Sequence, residues 1–156
     1  MHEKNANMEK KMYRNLVVMA LFSFISMYVL MYSMVNSIDN VFNHLNQVYM
    51  AAIMTAPMVI IGILVMSSMY TDKRLNRIII IVSVIALVLF FVFIRQQTAI
   101  GDRQFLRSMI PHHSGAILMC ERAAIQDAEL QTLCDSIVES QQEEINQMEG
   151  ILERLE

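Results

Sequence analysis

Three long stretches without a charged side chain, at residues 15–38, 45–71 and 78–94, constrain the fold of this chain most strongly. A helix that crosses about 30 Å of hydrocarbon needs roughly 17–25 mainly apolar residues, and each stretch meets that requirement. A chain of 156 residues has too little remaining sequence to cover three such runs in a water-soluble core. The sequence therefore predicts a multi-pass membrane protein, with the lipid bilayer as a partner.

The distribution of Lys and Arg predicts how these spans are oriented. Four of them (Lys4, Lys10, Lys11 and Arg14) precede the first span, none lies in 36–46, and three lie in 71–77. Because basic loops stay in the cytoplasm, we expect a cytoplasmic N-terminal segment (1–14), a three-helix transmembrane domain (15–95) and an extracytoplasmic domain (96–156). The first apolar run is too long for a signal peptide, so we expect a retained anchor in the plasma (inner) membrane.

The segment after the third span has apolar residues at helical spacing. Phe105, Met109, Ala116 and Cys120 recur at three- and four-residue steps, and Asp127 is suited to cap a second helix. The second helix carries an apolar stripe of Leu130, Leu133, Cys134, Ile137, Val138, Ile145, Met148, Leu152 and Leu155. The predicted fold class is all-α, with three transmembrane helices followed by a helical hairpin.

A hairpin of two helices alone buries too little apolar surface to be stable. We expect a second copy of the chain to complete a four-helix bundle, so that the protein is a homo-oligomer. Packing of the hairpin onto the membrane helices is the alternative.

Polar residues interrupt both apolar faces of the predicted hairpin. On the first helix an adjacent pair, His112 and His113, shares its face with Met109, and on the second helix Gln141 and Glu144 fall within the apolar stripe. Folding the hairpin about residue 127 brings these groups into one layer. The candidate metal-binding residues are Met109, His112, His113, Met119, Gln141, Glu144 and Met148.

Two interpretations fit this cluster. A hydrogen-bonded His–Glu–Gln network would fix the packing of the bundle, because burying such groups without partners costs several kcal/mol. A metal site is favoured, because adjacent imidazoles flanked by thioethers face a carboxylate. Thioether sulfur selects Cu(I), whereas imidazole also suits zinc and iron. The predicted metal is therefore copper, with silver as its chemical mimic, ahead of zinc or iron.

The two cysteines come level with each other in the same hairpin. Cys120 and Cys134 are the only cysteines in the chain. Outside the cytoplasm they would be able to form a disulfide. A disulfide or plain core packing is favoured over two thiolates that bind metal.

Two motifs in this region resemble the family called domain of unknown function 305. The first is Asp102-x-x-Phe105-x-x-x-Met109-Ile-Pro-His112-His113-x-x-Ala116-x-x-Met119, and the second is Ile137-x-x-x-Gln141-x-x-Glu144-Ile145-x-x-Met148. The resemblance implies a ferritin-like helical bundle and extracytoplasmic binding of copper or silver in bacterial metal resistance. It covers about the last 55 residues.

Methionine is unevenly distributed among the spans, with nine in the first two apolar runs and none in the third. Flexible packing between helices is the favoured explanation, since Met fills irregular gaps. A ladder of soft ligands that leads to the outer domain is the alternative. The auxiliary ligands of such a ladder would be Met27, Met31, Met34, His44, Met50, Met54 and Met58.

These observations favour a membrane-anchored protein that binds copper outside the cytoplasm for sequestration, resistance or transfer. A ferritin-like metal-dependent oxidase and a structural helical subunit of a membrane complex are the alternatives. The paired Glu-x-x-His motifs of diiron bundles are absent from the sequence, so a binding protein is favoured over an enzyme. A net charge of −3 provides no basic surface for nucleic acid.

Overall fold

The computed structural model describes residues 2–155, and the side chains of residues 7–155, so that the side chain of Lys4 lies outside the described part. Over this range the chain is all-helical and contains no strand, which confirms the predicted fold class. The five α-helices are α1 (His2–Leu30), α2 (Leu45–Val65), α3 (Lys73–Arg95), α4 (Asp102–Arg122) and α5 (Ala128–Leu155).

Three of these helices are long and apolar enough to cross a membrane, and the protein is therefore a membrane protein. The candidate spans are Asn7–Met34, Leu45–Val65 and Lys73–Arg95. Their ends differ from those of the uncharged runs because local hydrogen bonds set them. The Asp72 carboxylate accepts bonds from the Arg74 and Leu75 N–H groups, at 2.8 and 2.9 Å, and so starts α3 ahead of its apolar run.

The contacts divide the chain into two compact units. The membrane unit contains the residues up to Leu30 together with Val48–Thr98, and the hairpin unit contains Met31–Gln47 together with the residues from Ala99 onward. The sequence pattern did not predict that 31–47 packs with the hairpin, because these residues end the first apolar run and lead into the second.

The membrane unit is tied together near one end of its helices by aromatic and polar contacts. Leu16, Ile63 and Tyr70 form a buried cluster there, and the Tyr13 and Tyr70 rings pack at a centroid distance of 5.2 Å. The Tyr13 hydroxyl of α1 donates to Asn76 Oδ1 of α3 at 2.7 Å, and Asn76 Nδ2 donates to the Tyr70 carbonyl at 2.8 Å.

The core of the hairpin unit lies between α4 and α5. Its buried apolar residues are Leu106, Ile110 and Ile117 of α4, and Ile145 and Leu152 of α5. The turn forms as predicted, since the Asp127 carboxylate accepts a bond from the Leu130 N–H at 2.9 Å.

The predicted apolar face of α4 was wrong by one residue. Phe105 is 49% exposed, whereas its neighbour Leu106 is buried. The reason is that α4 packs against α5 on one side and against the 31–47 segment on another. A helix that is covered from two sides has a broad buried surface, and periodicity alone does not locate its centre. Leu130 and Leu133 of the predicted α5 stripe are exposed as well.

Candidate metal centre

A close contact between His113 of α4 and Glu144 of α5 lies at the centre of the hairpin. Nε2 of His113 is 2.6 Å from Oε2 of Glu144. The imidazole is 9% exposed and the carboxylate is 55% exposed, so the pair joins the buried interior to the surface. The sequence predicted that the His pair and Glu144 converge, and the structure selects His113 as the histidine that makes the contact.

The second ring nitrogen of His113 fixes the orientation of the imidazole. Nδ1 lies 2.9 Å from the carbonyl oxygen of Met109, one helical turn earlier. Because a carbonyl oxygen only accepts, Nδ1 carries a proton and donates it to this bond. Nε2 faces Glu144, and the 2.6 Å contact there is bridged by a proton that a metal ion at Nε2 would replace. Metal-binding histidines are commonly oriented in this way, through a bond from the other nitrogen to a backbone carbonyl.

The His113–Glu144 contact also sets the register of the two antiparallel helices. One turn before His113 is Met109, and one turn after Glu144 is Met148. Residues four apart lie on the same helix face, so Met109 and Met148 come level with each other, about 6 Å along the bundle from the His–Glu layer. Both methionines are half-buried, and Met148 packs against the hydrophobic core.

The remaining predicted ligands lie further out. His112 is exposed, and its ring centroid is 5.9 Å from that of His113. Met119 is exposed, and Gln141 is half-buried. The structure thus brings together His113 and Glu144, and leaves His112 and Met119 on the surface.

The acidic and histidine side chains do not form a larger cluster in the described part of the chain. Among residues 7–155, no group of three or more His, Cys, Asp or Glu side chains is placed to hold a metal ion. Structural zinc sites and diiron bundles are built from more ligands of these types than one His–Glu pair provides. A site in one copy would therefore need the thioethers as ligands.

Cys120 and Cys134 form a disulfide between the end of α4 and the start of α5, with their Cα atoms 5.2 Å apart. Neither thiol is free, and thiolate ligation is therefore absent from this state of the hairpin. The crosslink closes the same end of the hairpin as the Asp127 cap.

The structure adds a polar network that the sequence analysis missed. The fully buried Ser114 hydroxyl accepts from the Asn36 N–H at 2.8 Å and donates to Asn36 Oδ1 at 2.5 Å. Asn40 Nδ2 donates to the same oxygen at 3.0 Å. The signals were a pair of asparagines four residues apart at the end of the first apolar run, and the small Ser114-Gly115 step after the histidines.

The auxiliary ligands proposed in and near the membrane are divided between the two units. In the membrane unit, Met27 Sδ accepts a bond from Thr55 Oγ1 at 3.7 Å. Met50 and Met54 lie on the surface, at 41% and 43% exposed, and Met58 is half-buried. Their role as soft ligands stays a prediction.

The other three auxiliary residues, Met31, Met34 and His44, belong to the hairpin unit. His44 has a structural role there, since its Nδ1 accepts a bond from the Gln47 N–H at 3.2 Å in the first turn of α2. The Tyr32 ring packs edge-on against the imidazole, at a centroid distance of 6.4 Å. Burial lowers the pKa of His44 to about 4, so the ring is neutral and able to accept this bond near pH 7.

The fold and the site define a class: all-helical membrane proteins that carry a two-helix domain with a His–Glu pair between its helices. The family described as "Domain of unknown function (DUF305)" matches residues 93–152. The chain is also 33% identical to "Uncharacterized protein L153" of Acanthamoeba polyphaga mimivirus over 141 residues, which is 88% of this chain and 91% of that protein. No solved structure matches the chain.

The chain therefore belongs to the DUF305 family, as the two motifs predicted. The family match spans α4 and most of α5, and with them both residues of the His113–Glu144 pair. The relationship to the viral protein extends over the membrane helices as well, because it covers 88% of this chain. The ferritin-like bundle and the metal that the resemblance implied stay predictions.

Proposed function

We propose that this protein binds copper, as Cu(I) with Ag(I) as its mimic, for sequestration or transfer outside the cytoplasm. The observation that carries the proposal is the fixed orientation of His113, whose Nδ1–H is bound to the Met109 carbonyl while Nε2 faces an exposed carboxylate. A buried imidazole with its second nitrogen directed toward an accessible edge of the core is suited to receive a metal ion.

The residues around His113 support a soft metal over a hard one. Met109 and Met148 come level with each other one helical turn from the imidazole, and thioether sulfur favours Cu(I) or Ag(I). Glu144 is more than half exposed, so its carboxylate is free to move aside or to join the metal. His112, Met119 and Gln141 would complete the ligand set from the exposed edge.

The hairpin unit is proposed to lie outside the cytoplasm of a cell whose plasma (inner) membrane holds α1–α3. Support comes from the basic residues before the first span and in 71–77, together with their absence from 36–46. The Cys120–Cys134 disulfide agrees with this placement, because disulfides persist mainly in oxidising compartments. A reporter fused after Glu156 that is active only in the cytoplasm would contradict the topology.

A second copy of the chain is proposed to pack against the hairpin. Phe105, Met119, Leu130 and Leu133 are large apolar side chains that stay exposed in the hairpin unit. A dimer would bury them and would double the number of ligands. Native mass spectrometry in detergent tests this, since a species of only 18.0 kDa would contradict it.

Titration of the purified full chain with Cu(I) and with Zn(II), each against a competing chelator, tests the proposed metal. The double change His112→Ala with His113→Ala is expected to abolish tight binding of Cu(I). Met109→Leu preserves side-chain volume, which a core tolerates at a cost under about 1.5 kcal/mol, and is expected to weaken Cu(I) binding in a folded protein. Leu106→Ile, a core change on the same helix that adds no thioether, is the matched control.

The competing function is structural, with the His113–Glu144 pair serving only to join α4 to α5. The direct contact between the two side chains and the hydrogen bond that Nδ1 makes to the Met109 carbonyl favour a structural function as well. It predicts that the double His variant unfolds and that Met109→Leu changes nothing. Unchanged Cu(I) affinity in Met109→Leu would remove the argument for copper and leave zinc or a structural pair.

A further inference from the structure

A groove lies on the membrane unit between α2 and α3, at the end where α3 begins. It encloses a cavity of about 520 Å³. The residues that line it are Ile63, Leu64, Ser67, Lys73, Asn76, Arg77 and Ile80. Its lining is divided, with charged side chains nearer the start of α3 and aliphatic side chains deeper along both helices.

Two cations, Lys73 and Arg77, lie on the same face of α3 because they are four residues apart. The Arg77 side chain folds back toward the start of the helix, where its Nε–H donates to the Lys73 carbonyl at 3.4 Å. Neither cation forms an ion pair with a carboxylate among the described side chains 7–155. The groove therefore presents two positive charges that have no acidic partner in this part of the chain.

The nearby acidic groups are already engaged elsewhere. The Asp72 carboxylate caps α3 through the Arg74 and Leu75 N–H groups. Glu9 accepts a bond from the Thr71 hydroxyl at 2.6 Å. Asn76 is held by Tyr13 and by the Tyr70 carbonyl. Among side chains 7–155, neither carboxylate forms an ion pair with Lys73 or Arg77, so both cations are available to an external anion.

The position of the groove along the span identifies what kind of anion reaches it. The span Lys73–Arg95 has 23 residues and is about 34 Å long, which slightly exceeds the roughly 30 Å of hydrocarbon in a bilayer. The uncharged run of this helix is 78–94, so Lys73 and Arg77 precede it and lie toward the headgroups, whereas Ile80 and Leu64 belong to uncharged runs at the level of the acyl chains. A ligand that fits both halves has a phosphate at one end and hydrocarbon at the other.

We infer that this groove binds one anionic phospholipid, with its phosphodiester between Lys73 and Arg77 and an acyl chain along Ile63, Leu64 and Ile80. Basic pockets between membrane helices at headgroup level recognise anionic lipids in this way. The inference does not depend on the proposed metal site, since it rests on different residues in a different unit.

Native mass spectrometry of the delipidated full chain in neutral detergent tests the inference. Phosphatidylglycerol is titrated against phosphatidylcholine with the same acyl chains, and the wild type is expected to retain the anionic lipid preferentially. Each basic residue near a membrane surface contributes about 1 kcal/mol, which is about fivefold in retention. The double change Lys73→Gln with Arg77→Gln should therefore reduce retention by about twenty-five-fold.

Two further variants distinguish lipid binding in the groove from a general attraction of anionic lipid to the basic end of the membrane unit. Lys11→Gln with Arg74→Gln removes the same charge from the same end of the membrane unit without changing the groove lining, and should leave retention unchanged. Ser67→Trp keeps both cations but fills the groove, and should abolish the preference for phosphatidylglycerol. Ser67 is exposed, so we expect the Trp variant to fold. It therefore tests the groove even if the double Gln variant does not fold.

Three results would overturn the inference. One is equal retention of both lipids by the wild type, and another is unchanged retention in Ser67→Trp. The third is displacement of phosphatidylglycerol by millimolar inorganic phosphate, since that would identify a site for a free anion without any need for the aliphatic wall.

Discussion

The Ser114 hydroxyl binds both the backbone N–H and the side-chain oxygen of Asn36, 78 residues away in sequence. Its neighbour His113 faces α5 and contacts Glu144. Two successive residues of α4 therefore hold two different parts of the hairpin unit. The imidazole of the proposed metal site is fixed on one side by α5, and its helix is fixed on the other by the 31–47 segment.

Ser114→Ala is expected to destabilise the hairpin unit by about 1–3 kcal/mol, because it removes a fully buried hydroxyl and leaves the half-buried Asn36 N–H without its acceptor. Chemical denaturation of the full chain in detergent, followed by circular dichroism, measures this. Ser108→Ala on the same helix is the control, since its exposed hydroxyl bonds only to the nearby Phe105 carbonyl. Equal loss in both variants would mean that the Asn36 contact contributes nothing.

Two glycines should respond in opposite directions to replacement by alanine. A Cβ at Gly150 in α5 meets open space, so Gly150→Ala should stabilise the chain by about 0.5–1 kcal/mol through helix propensity. A Cβ at Gly115 would lie 3.3 Å from the Met34 carbonyl oxygen, whose segment is anchored by the Ser114–Asn36 bonds. Gly115→Ala should therefore lower the free energy of unfolding. If both variants are more stable than the wild type, the 31–47 segment moves aside without a measurable cost.

The buried His44 makes stability depend on pH in a defined direction. Its pKa is lowered by burial from 6.5 to about 4, so the unfolded chain binds a proton more readily than the folded one between these values. Stability from this group is present above about pH 6.5 and is lost as the pH falls toward 4.

His44→Asn isolates this effect, because asparagine also caps helices but does not titrate. As the pH falls from 7 to 4.5, the unfolding midpoint of the wild type should decrease more than that of the variant. Other histidines and carboxylates are common to both proteins and cancel in the difference. A difference that is constant with pH would contradict a buried, neutral His44.

The sequence predicted the all-α class and the spans from local composition and helical periodicity. It also placed the His pair near Glu144, and the structure brings only His113 into contact with that carboxylate. The predicted centre of the α4 face was one residue off, at Phe105 rather than Leu106. The pairing of Asn36 with Ser114 was not predicted, because the Asn36/Asn40 pair and the Ser114-Gly115 step each mark a polar or small site without indicating the other as its partner. Long-range contacts of this kind depend on the packed structure rather than on the pattern of either segment.

The last prediction concerns the carboxylate at the proposed metal site. Glu144→Gln keeps the shape of the side chain but removes the charge that faces His113 Nε2. Whether Glu144 binds the metal or orients the imidazole, its loss should lower Cu(I) affinity by about 10- to 100-fold, as for other groups that support metal ligands. The control is Glu143→Gln, which removes an exposed carboxylate one residue earlier and should leave affinity unchanged. Chelator competition on the two full-length variants gives both affinities under the same conditions. If both variants lose affinity equally, the negative charge of this region assists binding, and the contact with His113 does not. A loss confined to Glu144→Gln would assign that assistance to the contact itself.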